Sequence, residues 1–414
     1  MSRVRCLLAL TVLCCAASVQ AEQPVLPTTN SDREHALHAV TANGDYEAQL
    51  LGVIEAIQNG QLEQALNLVD AHLSQFSKSR VGHFLRAEIL IAMSGDTALF
   101  GARASIPEDV LRGLLHQVEN RWQHRHENAQ IMHAKLPAGL VLMGKYQHVL
   151  VADLTAGRLY VYANNGGRPQ LVRDYYLTMG SQGFGKQVEG DNKTPIGVYR
   201  VTRHIEGKAL PDLYGKGAFP VDYPNVYDRY LGRTGYGIWL HGTPSDTYAR
   251  APWSSEGCFV LSNDDWLDVA QFVDVSAHTP VLLSEQIDWL DQRAAQAQQV
   301  ALLAVLARWE QDWEAIDTDA LIAHYSAEKF NLGRGDFAQW AARKKQVNLG
   351  KTEIDLELNI HSLFLYPGKE PMFEVTFTQH YTSNNFSNTS DKRQLWQQNA
   401  DGRWQIIYEG NPAP

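Results

Sequence analysis

The stretch Trp253-Ser254-Ser255-Glu256-Gly257-Cys258-Phe259-Val260-Leu261 decides how this chain is read. It presents a thiol directly after a glycine. Upstream, the short apolar run Tyr236-Gly-Ile-Trp-Leu240 leads into His241-Gly242-Thr243. A thiol and an imidazole brought together by a fold make an activated nucleophile, because the imidazole can take the thiol proton as the sulfur attacks. Cys258 is therefore the candidate nucleophile and His241 the candidate proton acceptor and donor.

The first residues sharpen this reading. Arg3 and Arg5 precede an apolar core from Leu7 to Ala17, and Val19-Gln20-Ala21 offers a cleavage site before Glu22, the pattern of an export signal. Cleavage there removes Cys6, Cys14 and Cys15 and leaves Cys258 as the lone cysteine of the mature chain. A single thiol in an exported protein cannot close an internal disulfide, which favours a chemical role for it over a structural one. No later segment has the run of about 18 uncharged apolar residues that a membrane span requires, so no membrane anchor is expected.

With 414 residues, the chain is long enough for two or three domains. It is 44% hydrophobic and 20% charged, the balance of a globular protein, and its formal charge of −10 argues against a nucleic-acid partner. From Tyr46 to Met93 the pattern is helical: Leu51, Ile54 and Ile57 share one face, and Leu62, Leu66, Val69 and Leu73 another. Phe84, Ile89 and Ile91 lie on a third helix that stops at Ser94-Gly95. Helical pattern resumes at Pro107, and Ser31-Asp-Arg-Glu34 fits a capping box. The expected N-terminal all-α helical region thus spans 31–130, after a signal peptide at 1–21.

At Pro137-Ala-Gly139 the texture changes. His148-Val-Leu-Val-Ala-Asp153, Arg158-Leu-Tyr-Val-Tyr162, Tyr175-Tyr-Leu-Thr-Met179 and Gly197-Val-Tyr-Arg-Val-Thr202 are short strand-like runs between Gly- and Pro-rich turns. They predict a central β-rich domain over 137–284. Residues 203–235, irregular and rich in Gly, Pro and Tyr, form a candidate lid beside the histidine strand. An Ala/Gln-rich helix over 285–308 is expected as a linker. Beyond it, Trp309 to Tyr325 starts helically. The alternations Ile354, Leu356, Leu358, Ile360 and Phe373, Val375, Phe377 then predict strands, giving a C-terminal α+β domain over 309–411.

Two motifs fail on inspection. His126-Glu127-Asn128-Ala129 starts like a zinc-protease helix, but Gln130 occupies the second histidine position, so no metal is called for. Gly180 to Lys186 has the glycine frame of a phosphate loop, yet Gln187 stands where its hydroxyl should be, and no nucleotide cofactor is expected.

Taken in order, Tyr146 to Tyr162, Gly190-Asp-Asn-Lys-Thr-Pro-Ile-Gly197, His241-Gly-Thr and Ser255-Glu-Gly-Cys258 resemble the YkuD-type L,D-transpeptidase domain. The C-terminal domain resembles the NTF2-like fold, and the pair looks like the exported cell-shape L,D-carboxypeptidases. The resemblance implies a periplasmic enzyme that needs no cofactor and acts on peptidoglycan stem peptides. It implies a Cys258 thioester formed with loss of D-alanine, which water or an amine then resolves. It further implies that the Gly242 carbonyl orients His241 and that the C-terminal domain dimerises. Gly257, lacking Cβ, lets the backbone N–H groups of Gly257 and Cys258 turn toward an oxyanion. Lys193, Thr194, Arg233 and Ser255 are the candidate substrate-binding residues. An amidase that releases diaminopimelate-linked protein, and a non-catalytic wall-binding scaffold, are the alternatives. Val260 stands where many transpeptidases carry an arginine suited to a substrate carboxylate. Lys186, Lys193, Arg233 and Arg250 are the cations that could replace it.

Overall fold

The computed structural model describes residues 44–95, 106–125 and 134–412. The export signal, the capping box at Ser31 and the His126 motif lie outside the described residues.

The chain opens with helices α1 (Gly44–Gln58), α2 (Leu62–Gln75), α3 (Arg80–Ser94) and α4 (Glu108–Gln123). Ser79 starts α3 by accepting the Gly82 N–H at 3.1 Å, and Gly95 ends it in a left-handed conformation that glycine adopts without strain. The apolar faces of the helices, including Leu50, Val53, Ile54, Val69, Leu85 and Ile89, close on one another in a core of their own.

Strands β1 (Lys135–Pro137), β2 (Leu140–Leu142), β3 (His148–Asp153), β4 (Arg158–Asn165), β5 (Arg168–Tyr176), β6 (Met179–Gly180), β7 (Gly197–Arg200), β8 (Ile205–Glu206) and β9 (Gly217–Pro220) follow. A short helix α5 (Val226–Tyr230) precedes β10 (Trp239–His241), β11 (Trp253–Ser255) and β12 (Phe259–Val260). Helix α6 (Asn263–Val269), β13 (Pro280–Ser284) and β14 (Trp289–Asp291) complete the central region. Its main sheet has the order β5-β4-β3-β13-β7, and the strands beside His241 and Cys258 sit in a second sheet, β12-β10-β9-β8. The continuous apolar run of β3 reflects a strand buried on both faces. Leu150 and Ala152 point into the core shared with Leu240 and Phe259 of the second sheet and Trp266 of α6. Val149 and Val151 point the other way, toward Phe364, Leu395 and Ile407 of the C-terminal sheet.

The C-terminal region consists of α7 (Gln292–Glu314), α8 (Thr318–Ala323), α9 (Phe337–Asn348) and strands β15 (Ile354–Leu365), β16 (Met372–Ser383), β17 (Phe386–Gln398) and β18 (Trp404–Gly410). The helical, β-rich and α+β succession read from the sequence is the one observed. Its seams differ. The expected 285–308 linker is not one helix: Trp289–Asp291 pairs with Lys135–Pro137, and α7 runs unbroken through position 308. Leu302, Leu306, Trp309 and Trp313 of α7 all pack on the C-terminal sheet, so apolar burial carries the helix across the expected boundary. Leu140–Leu142, assigned by sequence to the central domain, extends the C-terminal sheet beside β15. The alternation of β15 also breaks at a bulge between Ile360 and Ser362, after which Leu363 and Phe364 are both buried.

Two buried ion networks join the parts. Arg158 binds Glu47 of α1 and Asp174 of β5, while Arg121 and His124 bind the same two carboxylates. Arg200 of β7 and Arg393 of β17 both bind Glu374 at 2.5 Å.

Candidate active site

Parallel pairing of β10 with β12 sets Leu240 opposite Phe259 and His241 opposite Val260. Leu240, Phe259 and Leu261 enter the core. Alternation therefore turns His241 and Cys258 to the outer face of neighbouring strands. The Cys258 sulfur is half-buried and lies 3.3 Å from the Gly237 carbonyl. Burial raises the thiol to about 11, although the Trp239 amide and the Arg250 guanidinium pull it down.

His241 is buried, and its Nδ1 donates to the Gly242 carbonyl at 2.7 Å. That bond places the proton on Nδ1 and leaves Nε2 with its lone pair. Burial lowers the imidazole to about 4; the Gly242 bond raises it and Arg250 lowers it further. At neutral pH His241 is neutral and Cys258 is a thiol. Tyr214 packs edge-on against His241 with ring centroids 5.0 Å apart. Burial raises its hydroxyl, and the Cys258 and Glu256 charges add to that.

The turn before the thiol is built by hydrogen bonds. Gly257 has φ +120, where a Cβ would sit 2.8 Å from the Lys193 carbonyl, so only glycine fits without displacement. Ser255 Oγ donates to Cys258 O at 2.5 Å and accepts the Gly257 N–H at 3.1 Å. Thr194 Oγ1 donates to Gly257 O at 3.0 Å and accepts the Gly180 N–H at 2.9 Å.

Several sequence expectations are revised by these contacts. Thr194 and Ser255 are buried and spend their hydroxyls on the catalytic turn, so neither faces a ligand. The Gly257 N–H is held by Ser255, whereas the Cys258 N–H has no acceptor among the described residues and is free to meet an oxyanion. Arg233 pairs with buried Asp228 at 2.8 Å and lines a cleft of about 730 Å³ between the central and C-terminal regions, a cleft that does not include Cys258. Lys186 is buried against Asp191 at 2.8 Å. Lys193, half-exposed, turns its backbone carbonyl to Gly257. Residues 203–235 are not a detached lid, since Gly217–Pro220 pairs with the histidine strand and Tyr214 packs against the imidazole.

One side of the site belongs to the helical region. A groove of about 930 Å³ runs between α4 and the loops carrying Ser181, Leu213, Arg250 and Trp253; it reaches Ser254 of the strand before the thiol, and neither Cys258 nor His241 lines it. Gln117 Nε2 donates to Arg250 O at 2.7 Å, His116 stacks edge-on against Trp253, and Tyr46 stacks on Tyr248 at 3.9 Å. The role of Tyr214 and the helical wall left no signal in the sequence, because both come from segments remote from Cys258. Arg250 was visible only as one cation among four.

Comparison with known proteins agrees with this architecture. Residues 147–283 match the L,D-transpeptidase catalytic domain (YkuD), and residues 301–410 match the Cds6 C-terminal NTF2-like domain. Over 116 residues the chain is 33% identical to "Putative L,D-transpeptidase YafK" of Escherichia coli (strain K12), a match that spans 28% of this chain and 42% of that protein. Bd1075 of Bdellovibrio bacteriovorus superposes with TM-score 0.59 at 25% identity, covering 68% of this chain and 99% of its own. The helical cell shape determining protein Pgp2 from Campylobacter jejuni superposes with TM-score 0.54 at 27% identity, covering 65% and 94% respectively. The chain carries an L,D-transpeptidase catalytic domain joined to a Cds6-type NTF2-like domain.

Proposed function

We propose that this protein is an exported cysteine acyltransferase that acts on peptidoglycan stem peptides, cutting between the L-centre of diaminopimelate and the terminal D-alanine. The observation that carries the reading is the parallel pairing of β10, which ends in His241, with β12, which Cys258 directly precedes, together with Nδ1 fixed on Gly242 O. Cys258 Sγ attacks the diaminopimelate carbonyl carbon while His241 Nε2 takes the thiol proton. The Cys258 N–H stabilises the resulting oxyanion. The C–N bond then breaks, Nε2 returns the proton to the D-alanine amine, and a thioester remains. Water resolves it to the tripeptide by L,D-carboxypeptidase action, and the amine of a second stem peptide resolves it to an L,D cross-link.

The L,D-transpeptidase domain match and the likeness to a cell shape determinant support a role in wall remodelling and cell shape. No helix among the described residues is long and apolar enough to cross a membrane, which is compatible with release into the periplasm after export. The C-terminal domain is read as a dimerisation unit.

Incubating the mature protein with purified disaccharide tetrapeptide tests the proposal. Free D-alanine and either tripeptide or cross-linked dimer are expected, with a mass increment on Cys258 in the trapped intermediate. Turnover that survives Cys258→Ala would exclude this mechanism.

A further inference from the structure

The arginine that many transpeptidases offer to a substrate carboxylate is Val260 here. Val260 is buried, and its backbone is bonded on both sides, to β10 and to Thr178. Its short apolar side chain offers a ligand no charge. The other charges lining the α4 groove are matched, apart from exposed Asp109, a carboxylate that cannot itself hold a carboxylate. Arg112 pairs with Glu108 at 2.6 Å and Arg80 with Asp246 at 3.6 Å, and Asp212 accepts from the Ser245 backbone and hydroxyl. Arg250 differs from all of these. Its half-buried guanidinium donates to the Ser254 carbonyl and has no carboxylate partner among the described residues.

The main chain of Arg250 is held unusually firmly. Its carbonyl accepts from Gln117 Nε2 at 2.7 Å, Tyr176 Oη at 3.1 Å and Thr178 Oγ1 at 3.2 Å. Gly113 lets α4 approach this loop closely, since a Cβ there would lie 2.8 Å from Ala251 Cβ. A partly desolvated guanidinium on a fixed backbone, bonded to the Ser254 carbonyl four residues before the thiol, is well suited to a carboxylate. Its charge acts on both Cys258 and His241, which places it within electrostatic reach of the reacting atoms.

Resting on the stem-peptide reading of the site, we propose that Arg250 anchors a substrate carboxylate flanking the scissile carbonyl and that α4, through Gln117, positions it. The N-terminal helices are then one wall of the substrate site rather than a separate packing module. Two carboxylates flank that carbonyl, the terminal carboxylate of D-alanine and the one on the D-centre of diaminopimelate.

The test uses the full mature protein and three disaccharide tetrapeptides: unmodified, amidated at the D-alanine terminus, and amidated at the diaminopimelate D-centre. For the wild type, one amidation should lower kcat/KM by about 10- to 100-fold, the range expected of a charge-assisted hydrogen bond. Arg250→Gln should lose a similar factor on the unmodified substrate and become indifferent to that one amidation while keeping its response to the other. Arg250→Lys should recover part of the loss. Which amidation falls silent identifies the carboxylate. A variant that stays folded by thermal unfolding yet responds to both amidations as the wild type does would overturn the anchor. Absence of a Cys258 thioester in the wild type with the unmodified substrate would overturn the stem-peptide reading itself, and the anchor with it.

Discussion

Thr194 Oγ1 donates to the carbonyl oxygen of Gly257 at 3.0 Å while accepting the N–H of Gly180 at 2.9 Å, so one buried hydroxyl ties the Thr-Pro segment to the turn that presents the nucleophile. The Thr-Pro-Ile-Gly motif therefore acts on the catalytic turn from behind, without touching a ligand.

Replacing this hydroxyl should separate turn geometry from ligand binding. Thr194→Val keeps the volume but leaves a buried N–H and a buried carbonyl unpaired, which costs about 1–3 kcal/mol for such a group. The urea midpoint should fall accordingly. Kcat should drop while KM stays near the wild-type value, since the hydroxyl is not exposed to the groove. A KM effect alone, measured on disaccharide tetrapeptide, would return Thr194 to the substrate-binding residues.

Gly257→Ala tests the turn from the other side. At φ +120 an alanine is strained, and its Cβ would press on the Lys193 carbonyl from 2.8 Å. Backbone strain of this kind costs on the order of 1–3 kcal/mol. The turn is short and can shift instead, moving the Cys258 N–H away from the oxyanion. Losing one such donor lowers kcat by about 10²–10³. The expected result is a folded protein with kcat reduced in that range.

The protonation states set a pH dependence. His241 must be neutral to accept the thiol proton, and burial lowers it to about 4. Activity should therefore be absent well below pH 4, rise as the imidazole loses its proton near that value, and be flat at neutral pH. Cys258, raised to about 11, is a thiol across that plateau, so alkylation by iodoacetamide should be slow at pH 7 and quicken toward pH 11. A rate limb near pH 6.5, or rapid alkylation at neutral pH, would point to a thiolate–imidazolium pair instead.

The pair at the centre of the site was legible because it depends on local features: a lone thiol after glycine and a histidine closing an apolar strand. The strands themselves were equally legible, since His148–Asp153 is a run of apolar residues whatever it packs against. What could not be read was the pairing between distant segments. Nothing local to Leu140–Leu142 says that it joins a sheet formed more than 200 residues later, and nothing in Arg233 announces that Asp228 has claimed it. Cations are the hardest to assign, because Lys186, Arg233 and Arg250 look alike until the carboxylates near them are known.

The contact between the central and C-terminal regions carries the last prediction. Glu374 is wholly buried and holds two guanidiniums, Arg200 from the main sheet of the central region and Arg393 from its own. Burial alone would raise its carboxyl, yet Arg393 and Arg200 outweigh that and keep it below the usual range. Glu374→Gln leaves two buried guanidiniums without their bonded carboxylate, with only Asp222 acting on them without an ion pair, and breaking a buried pair in this way costs about 3–5 kcal/mol. The sign follows from the lowered carboxyl. Its contribution is complete above the unfolded-state value, is lost as pH falls through the folded-state value, and is missing from the variant at every pH. Wild-type stability should therefore decline toward acid more steeply than that of Glu374→Gln, and the two urea midpoints should converge at low pH. Because Phe364, Leu395 and Ile407 bury Val149 and Val151 on one face of β3, whose other face packs on Leu240 and Phe259, loosening this contact should also lower kcat, although Glu374 lies in a different domain from Cys258. A variant with wild-type stability at neutral pH would show that the two regions are held together by apolar burial alone.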